Sequence, residues 1–142
     1  MCKELFIDLK AYRQMERQVK RAYPYEACGV MLGHENRVSD VYILENVEDK
    51  IIRHAYFSAD PLAILKAEKE AKERGLSVTG FYHSHPDRAA GPSEKDREYM
   101  IPGMQYVILS VNENGVAGIK GYSKPDTEDV IETVDIEMTV HR

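Results

Sequence analysis

The segment that most constrains the fold is an apolar strand followed closely by the start of a helix. The strand is predicted over Leu76 to His85, and the loop after it contains Gly91 and two prolines. Glycine and proline end regular structure and turn the chain. Ser93 then has a residue type that begins helices, and Asp96 falls in the first turn. The chain must therefore fold back so that the start of this helix lies beside the end of the strand.

Two histidines lie at the end of this strand. Because side chains alternate between the two faces of a strand, His83 and His85 point to one side and Ser84 points to the other. Catalytic zinc typically has three protein ligands and a fourth position for water, whereas structural zinc more often has four ligands rich in cysteine. The spacing therefore predicts a catalytic zinc site made of His83, His85 and Asp96.

Each part of this pattern has a plainer interpretation when it stands alone. Two histidines on a strand are more often polar surface or hydrogen-bonded core. Ser93 followed by Asp96 fits a capping box at the start of a helix. The combination at this spacing, directly after an apolar strand, favours the metal site over these alternatives.

The rest of the chain alternates between helical and extended patterns. Tyr12, Met15 and Val19 recur at helical spacing, and Asp60 followed by Pro61 suits the start of a helix. The pattern predicts helices over 9–22, 60–74 and 93–100 and strands over 26–33, 38–46, 54–58, 76–85, 105–111, 115–122 and 130–138. This order indicates an α/β fold in which residues 1–142 form a single domain, with a mixed β-sheet flanked by helices as an α/β sandwich.

Composition argues against several classes of function. The chain has 142 residues and a net charge of −5, and nucleic-acid binding needs a clustered basic surface instead. The sequence contains neither an apolar run near the ~18 residues of a membrane helix nor a signal-peptide pattern. Cys2 and Cys28 do not make a disulfide framework, and Cys28 is predicted to be a small buried residue. We therefore expect a cytoplasmic protein that binds neither nucleic acid nor membrane.

These residues together resemble the JAMM motif of the MPN-plus (Mov34/MPN/PAD-1) zinc metallopeptidases, especially the short prokaryotic members. The motif is His-x-His, seven residues, Ser, two residues and Asp, and His83, His85, Ser93 and Asp96 match it without a break. The family also has an upstream glutamate, and Glu26 in the string Tyr-Glu-Ala-Cys-Gly-Val-Met-Leu-Gly resembles it. The resemblance covers most of the chain and implies the cytidine-deaminase-like sandwich of that family.

The resemblance implies roles that spacing alone does not give. It makes Glu26 the general base, Ser93 a donor to the oxyanion and Zn²⁺ the cofactor, although a lone glutamate before a strand is usually solvated surface. It also implies hydrolysis of the bond after the Gly-Gly tail of a ubiquitin-like or sulfur-carrier protein. Some relatives release an amino acid such as cysteine, and others free a lysine side chain. The short loops favour a sulfur-carrier substrate, and a homodimer is compatible with the sequence.

Other functions fit the sequence less well. A non-catalytic, metal-stabilised module that binds a β-grasp partner is the alternative, and the presence of Glu26 argues against it. A zinc nucleoside deaminase needs His-x-Glu followed by Pro-Cys-x-x-Cys, which the sequence lacks. In the charged loop after the second predicted strand, Ile51 and Ile52 could close over the incoming tail, although burial in the core is the commoner fate of such a pair. His34 and His54 do not fall at a ligand spacing.

Overall fold

The computed structural model describes residues 4–44, 61–125 and 130–140. Within these ranges the chain forms seven strands and three helices. In chain order they are β1 Glu4–Asp8, α1 Leu9–Ala22, β2 Cys28–His34, β3 Arg37–Leu44, α2 Pro61–Glu73, β4 Ser77–Pro86, α3 Glu94–Tyr99, β5 Gln105–Asn112, β6 Gly115–Ser123 and β7 Glu132–Thr139.

The strands form one mixed sheet that closes on itself in the order β1-β3-β2-β4-β5-β6-β7. β1 runs parallel to both β3 and β7, β4 runs parallel to β5, and the other neighbours are antiparallel. Closure follows from the pairing of β1 with β7, which extends from Glu4 opposite Asp135 to Asp8 opposite Thr139. The predicted mixed sheet flanked by helices is confirmed, and its closure into a barrel is a feature that the sequence pattern does not predict.

The two longer helices cover opposite faces of the sheet. Met15 of α1 packs in one core cluster with Met31 of β2. Ala67 of α2 packs in another cluster with Val30 and Leu32, which alternate with Met31 along the same strand. Because β2 is covered on both faces, its sequence is almost continuously apolar instead of alternating with polar residues.

Most predicted elements are present, and one strand was not anticipated by the pattern. The helix over 9–22 and the hairpin at the Asn114-Gly115 turn agree with the structure. β1 is missed because five residues followed at once by a helix are too few to show a period. The strand predicted over 54–58 and the loop with Ile51 and Ile52 lie outside the described residues.

None of the helices in the described ranges has the length and apolar character needed to span a bilayer.

The register between β2 and β4 positions the predicted site. Cys28, the first residue of β2, lies opposite His83 near the end of β4. Just beyond this pair, Ser84 N donates to Ala27 O at 2.9 Å, and Ala27 N donates to the Ser84 hydroxyl at 2.9 Å. These bonds bring the segment that contains Glu26 alongside the end of β4.

Candidate metal centre

The three predicted metal ligands meet at the end of β4 and the start of α3. His83 Nε2 lies 3.1 Å from Asp96 Oδ1, and His85 Nε2 lies 3.1 Å from Asp96 Oδ2. The two Nε2 atoms are 3.2 Å apart. One ligand atom from each residue falls within 4.8 Å of the others, and both imidazoles are buried. The alternation along β4 therefore places the two histidines as the sequence predicts, and α3 brings the carboxylate to them.

A hydrogen bond to the main chain determines which nitrogen of His85 faces the cluster. Its Nδ1 lies 3.1 Å from the Ala89 carbonyl oxygen, which can only accept, so Nδ1 carries the proton. In the neutral form with this tautomer, which is the form that binds metals, Nε2 presents its lone pair to Asp96. A lone pair and a carboxylate oxygen 3.1 Å apart repel each other unless a proton or a cation lies between them. This geometry suits a bound cation.

At His83 and Asp96 the electrostatics favour the protonation states that metals bind. Burial lowers the pKa of His83, while its hydrogen bond with Asp96 opposes that shift. Burial raises the pKa of Asp96, but its contacts with the imidazoles of His83 and His85 and the hydrogen bond from the Ser93 backbone outweigh burial and hold that pKa well below its usual value. Metal ligands must be neutral imidazole and ionised carboxylate. The donor set fits a catalytic zinc ion.

Ser93 makes the capping box that the sequence pattern predicts. Its hydroxyl accepts a hydrogen bond from Asp96 N at 3.1 Å, and Ser93 N donates to Asp96 Oδ2 at 2.8 Å. The second bond restrains the carboxylate that faces His85, so capping and ligand positioning use the same contacts. The role of the Ser93 hydroxyl at an oxyanion stays a prediction.

Glu26 is a buried carboxyl beside this cluster, not the solvated residue that its local sequence suggests. Only 2% of its side chain is exposed, and Oε1 accepts a hydrogen bond from Arg88 Nη2 at 2.6 Å. Burial raises the pKa of Glu26 to about 8, Arg88 and Lys95 lower it, and the charge of Asp96 raises it. A carboxyl that titrates near neutral pH can both accept and return a proton.

Two residues of the site are missed by the sequence pattern. Ser84 is fully buried and holds the segment next to Glu26, although its alternation away from the histidines gives no sign of a role. Arg88 pairs with Glu26 across 62 positions of sequence. The sequence does hint at Arg88 through its position in the loop between His85 and Asp96. A cation in that loop would lie near the carboxylates of the site.

The remaining candidates lie where the sequence places them or outside the described residues. Cys28 is buried in the ladder opposite His83, and burial raises the pKa of its thiol to about 12. A thiol with that pKa is a poor nucleophile at neutral pH, in agreement with its predicted packing role. His34 is exposed at the end of β2. His54 lies outside the described ranges.

Comparison with known proteins adds independent information. Residues 8–120 match the family model described as prokaryotic homologs of the JAB domain. The chain is 32% identical over 126 residues to a probable TtuB-protein conjugate cleaving protease of Thermus thermophilus, covering 89% of this chain and 80% of that protein. It is 39% identical over 90 residues to a desampylase of Pyrococcus furiosus, covering 63% of this chain and 61% of that protein. The solution structure of protein DSY2949 from Desulfitobacterium hafniense superposes with a TM-score of 0.84 at 26% identity, covering 96% of this chain and 94% of that one.

Proposed function

The chain belongs to this family of prokaryotic JAB-domain homologues, and we propose that it is a zinc-dependent peptidase or isopeptidase that hydrolyses the bond after the Gly-Gly tail of a ubiquitin-like or sulfur-carrier protein. The observation that carries the proposal is the position of a buried glutamate, Glu26, beside the cluster of His83, His85 and Asp96. A buried carboxyl of raised pKa at this place supports a catalytic role over a module that only binds its partner.

His83, His85 and Asp96 would hold the zinc ion. When bound, zinc polarises the carbonyl of the scissile bond and lowers the pKa of water to about 7. Two hydrogen bonds position these ligands for the ion. The Ala89 carbonyl fixes the tautomer of His85, and the Ser93 backbone orients the carboxylate of Asp96.

Glu26 moves the proton. As the oxygen of water bonds to the carbonyl carbon, one proton of that water passes to the carboxylate of Glu26. As the carbon–nitrogen bond breaks, Glu26 returns the proton to the leaving nitrogen, so that the products are a carboxylic acid and an amine. Arg88 fixes the carboxyl group through Oε1 while this transfer takes place.

Ser93 would assist at the carbonyl oxygen. A hydroxyl that accepts the Asp96 N–H can still donate its own proton. Donation to the developing oxyanion stabilises the transition state more than the ground state, which is the condition for faster catalysis. The capping role and the catalytic role of Ser93 are therefore compatible.

The proposed substrate class has two supports. The Thermus relative is named for cleaving TtuB-protein conjugates, which indicates a conjugated protein as substrate. A chain that reaches the end of β4 must also run close to the backbone of neighbouring segments, where glycine passes most easily. A cytoplasmic location and a homodimer stay predictions, which cell fractionation and size-exclusion chromatography would test.

The test uses the zinc-loaded protein and a carrier whose Gly-Gly tail is extended by further residues. Mass spectrometry should find cleavage after the second glycine, lost with a chelator and restored by zinc. A Gly-Val tail on the same carrier should show a much lower kcat/KM. Equal kcat/KM for the two tails would indicate a general zinc peptidase, and binding of the carrier without any product would support the non-catalytic module instead.

A further inference from the structure

Arg88 lies in the segment between β4 and α3. It is not one of the proposed metal ligands, yet hydrogen bonds hold the backbone around it in place. Asp87 N donates to Val111 O of β5 at 2.8 Å, and the Ser110 hydroxyl donates to Arg88 O. The turn is thus anchored to β5 at the Asp87 amide and at the Arg88 carbonyl. The direction in which the Arg88 side chain leaves the backbone is therefore set by the fold.

The residues next to Arg88 strengthen this arrangement. Asp87 has a φ of 56°, in the left-handed region that aspartate tolerates better than most residues, and its carboxylate accepts a hydrogen bond from the Tyr23 hydroxyl at 2.9 Å. On the other side, Ala89 O accepts from His85 Nδ1. Backbone conformations of this kind persist where the surroundings fix them, and they concentrate at functional sites.

The guanidinium of Arg88 connects the buried base to the surface. It lies 2.6 Å from Glu26 Oε1, yet 40% of the Arg88 side chain is exposed, compared with 2% for Glu26. A guanidinium has five N–H donors in one plane and can serve two carboxylates at once. Lys95, which is partly buried, places a second positive charge near Glu26. The mouth of the site beside the proposed base is therefore cationic.

We propose that Arg88 is a specificity-determining residue that binds the free α-carboxylate of the leaving group, so that the enzyme preferentially releases a single C-terminal amino acid from its carrier. The inference rests on the proposed function, because it needs Glu26 to protonate the leaving nitrogen. That nitrogen must come within hydrogen-bond distance of the Glu26 carboxyl. In an amino acid the carboxylate carbon is two covalent bonds of about 1.5 Å each from the nitrogen. The guanidinium that already contacts Glu26 is thus within reach of that carboxylate.

Other leaving groups lack this complementarity. When a longer peptide leaves, the carbonyl next to its nitrogen belongs to a neutral amide. When a lysine side chain leaves, its nitrogen is followed by methylene groups, and no negative charge lies nearby. Of these three leaving groups, the terminal amino acid alone has an α-carboxylate at this distance from its nitrogen, and a charge-assisted hydrogen bond to that anion is worth more than a neutral one.

The experiment compares three substrates built on one Gly-Gly carrier: a single added residue as the free acid, the same residue as its carboxamide, and an isopeptide to the side chain of lysine. For the zinc-loaded wild-type protein, kcat/KM should be higher for the acid than for the amide by about tenfold. Arg88→Gln should lower the rates on all three substrates, because it also releases Glu26, and should bring the acid-to-amide ratio close to one. Arg88→Lys should keep part of the ratio. Arg13→Gln, at an exposed arginine of α1, is the matched control and should keep the wild-type ratio.

Three results would overturn the proposal. Equal kcat/KM for acid and amide in the wild-type protein would show that the carboxylate is not bound. A fall of all rates in Arg88→Gln with an unchanged ratio would leave Arg88 only the role of positioning Glu26. If no substrate is cleaved, the proposed function fails, and the inference is then decided by calorimetry on the chelator-treated wild-type protein. There the acid-tailed carrier should bind about tenfold more tightly than the amide-tailed one, and equal dissociation constants would refute it.

Discussion

The Ser84→Ala substitution tests how the fold supports the proposed base. Ser84 is fully buried, and its hydroxyl accepts the N–H of Ala27 at 2.9 Å. Alanine keeps the strand but removes this acceptor, so that a buried amide loses its hydrogen bond. The cost of such a loss is about 1–3 kcal/mol in the free energy of unfolding. For a chain of this size, each kcal/mol corresponds to roughly 2–4 °C in Tm.

The same substitution should reduce turnover, although Ser84 faces away from the histidines. Ala27 directly follows Glu26 in sequence, and its hydrogen bond to Ser84 restrains the position of the Glu26 carboxyl group. A catalytic group displaced by about 1 Å can cost on the order of 10² in rate. We therefore expect kcat to fall more than KM rises, and zinc content to stay at the wild-type level because the three proposed ligands are unchanged.

The assay combines urea unfolding, zinc analysis and steady-state kinetics on one preparation. Ser39→Ala is the matched control, because the Ser39 hydroxyl is only partly buried and makes a long 3.4 Å bond to Leu32 O. The control should change the free energy of unfolding by no more than about 0.5 kcal/mol. If Ser84→Ala has the stability and the kcat of the control, the reasoning that links this hydroxyl to Glu26 is wrong.

Four further outcomes follow from the site. The His83→Ala, His85→Ala double variant should lose its zinc by metal analysis, and wild-type zinc content would contradict the ligand assignment. Glu26→Gln should keep zinc and fold but lose hydrolysis, and a near-wild-type kcat would place proton transfer elsewhere. Ser93→Ala should lower kcat by about 10²–10³ if the hydroxyl contacts the oxyanion, but should cost about 1 kcal/mol of stability and little activity if it is only a cap. The pKa of Glu26 is raised from 4.5 to about 8, so the folded metal-free protein binds more protons than the unfolded chain between these values. Its stability should therefore decrease as pH rises through this window, and Glu26→Gln should flatten the dependence in urea unfolding at pH 5 and pH 9.

Local patterns in the sequence predict the parts of the site that depend on one element at a time. Strand alternation places His83 and His85 on one face, and the capping pattern places Asp96 in the first turn of α3. Both features depend on residues that are close together in the sequence, so they can be predicted from a single sequence. The same reasoning predicts the helix over 9–22 and the Asn114-Gly115 turn.

Such local patterns do not predict contacts between segments that are far apart in the sequence. The pairing of Glu26 with Arg88 depends on the register between β2 and β4 and on the turn at Asp87. A glutamate before a strand looks like solvated surface until its neighbours are known. Closure of the sheet is also a long-range contact, because β1 and β7 pair although almost the whole chain separates them in sequence.

The pairing of the first and last strands has a mechanical consequence. β1 and β7 run parallel in register, and Glu4 and Thr139 lie at opposite ends of the pair. Force applied outward through these two residues pulls the strands past each other, so it loads the hydrogen bonds of the pair together instead of one after another. The antiparallel hairpin of β5 and β6 behaves differently, because force on its open end separates one pair of residues at a time. When force acts through its first and last strands, the domain should resist forced unfolding far better than when the same force acts through that hairpin.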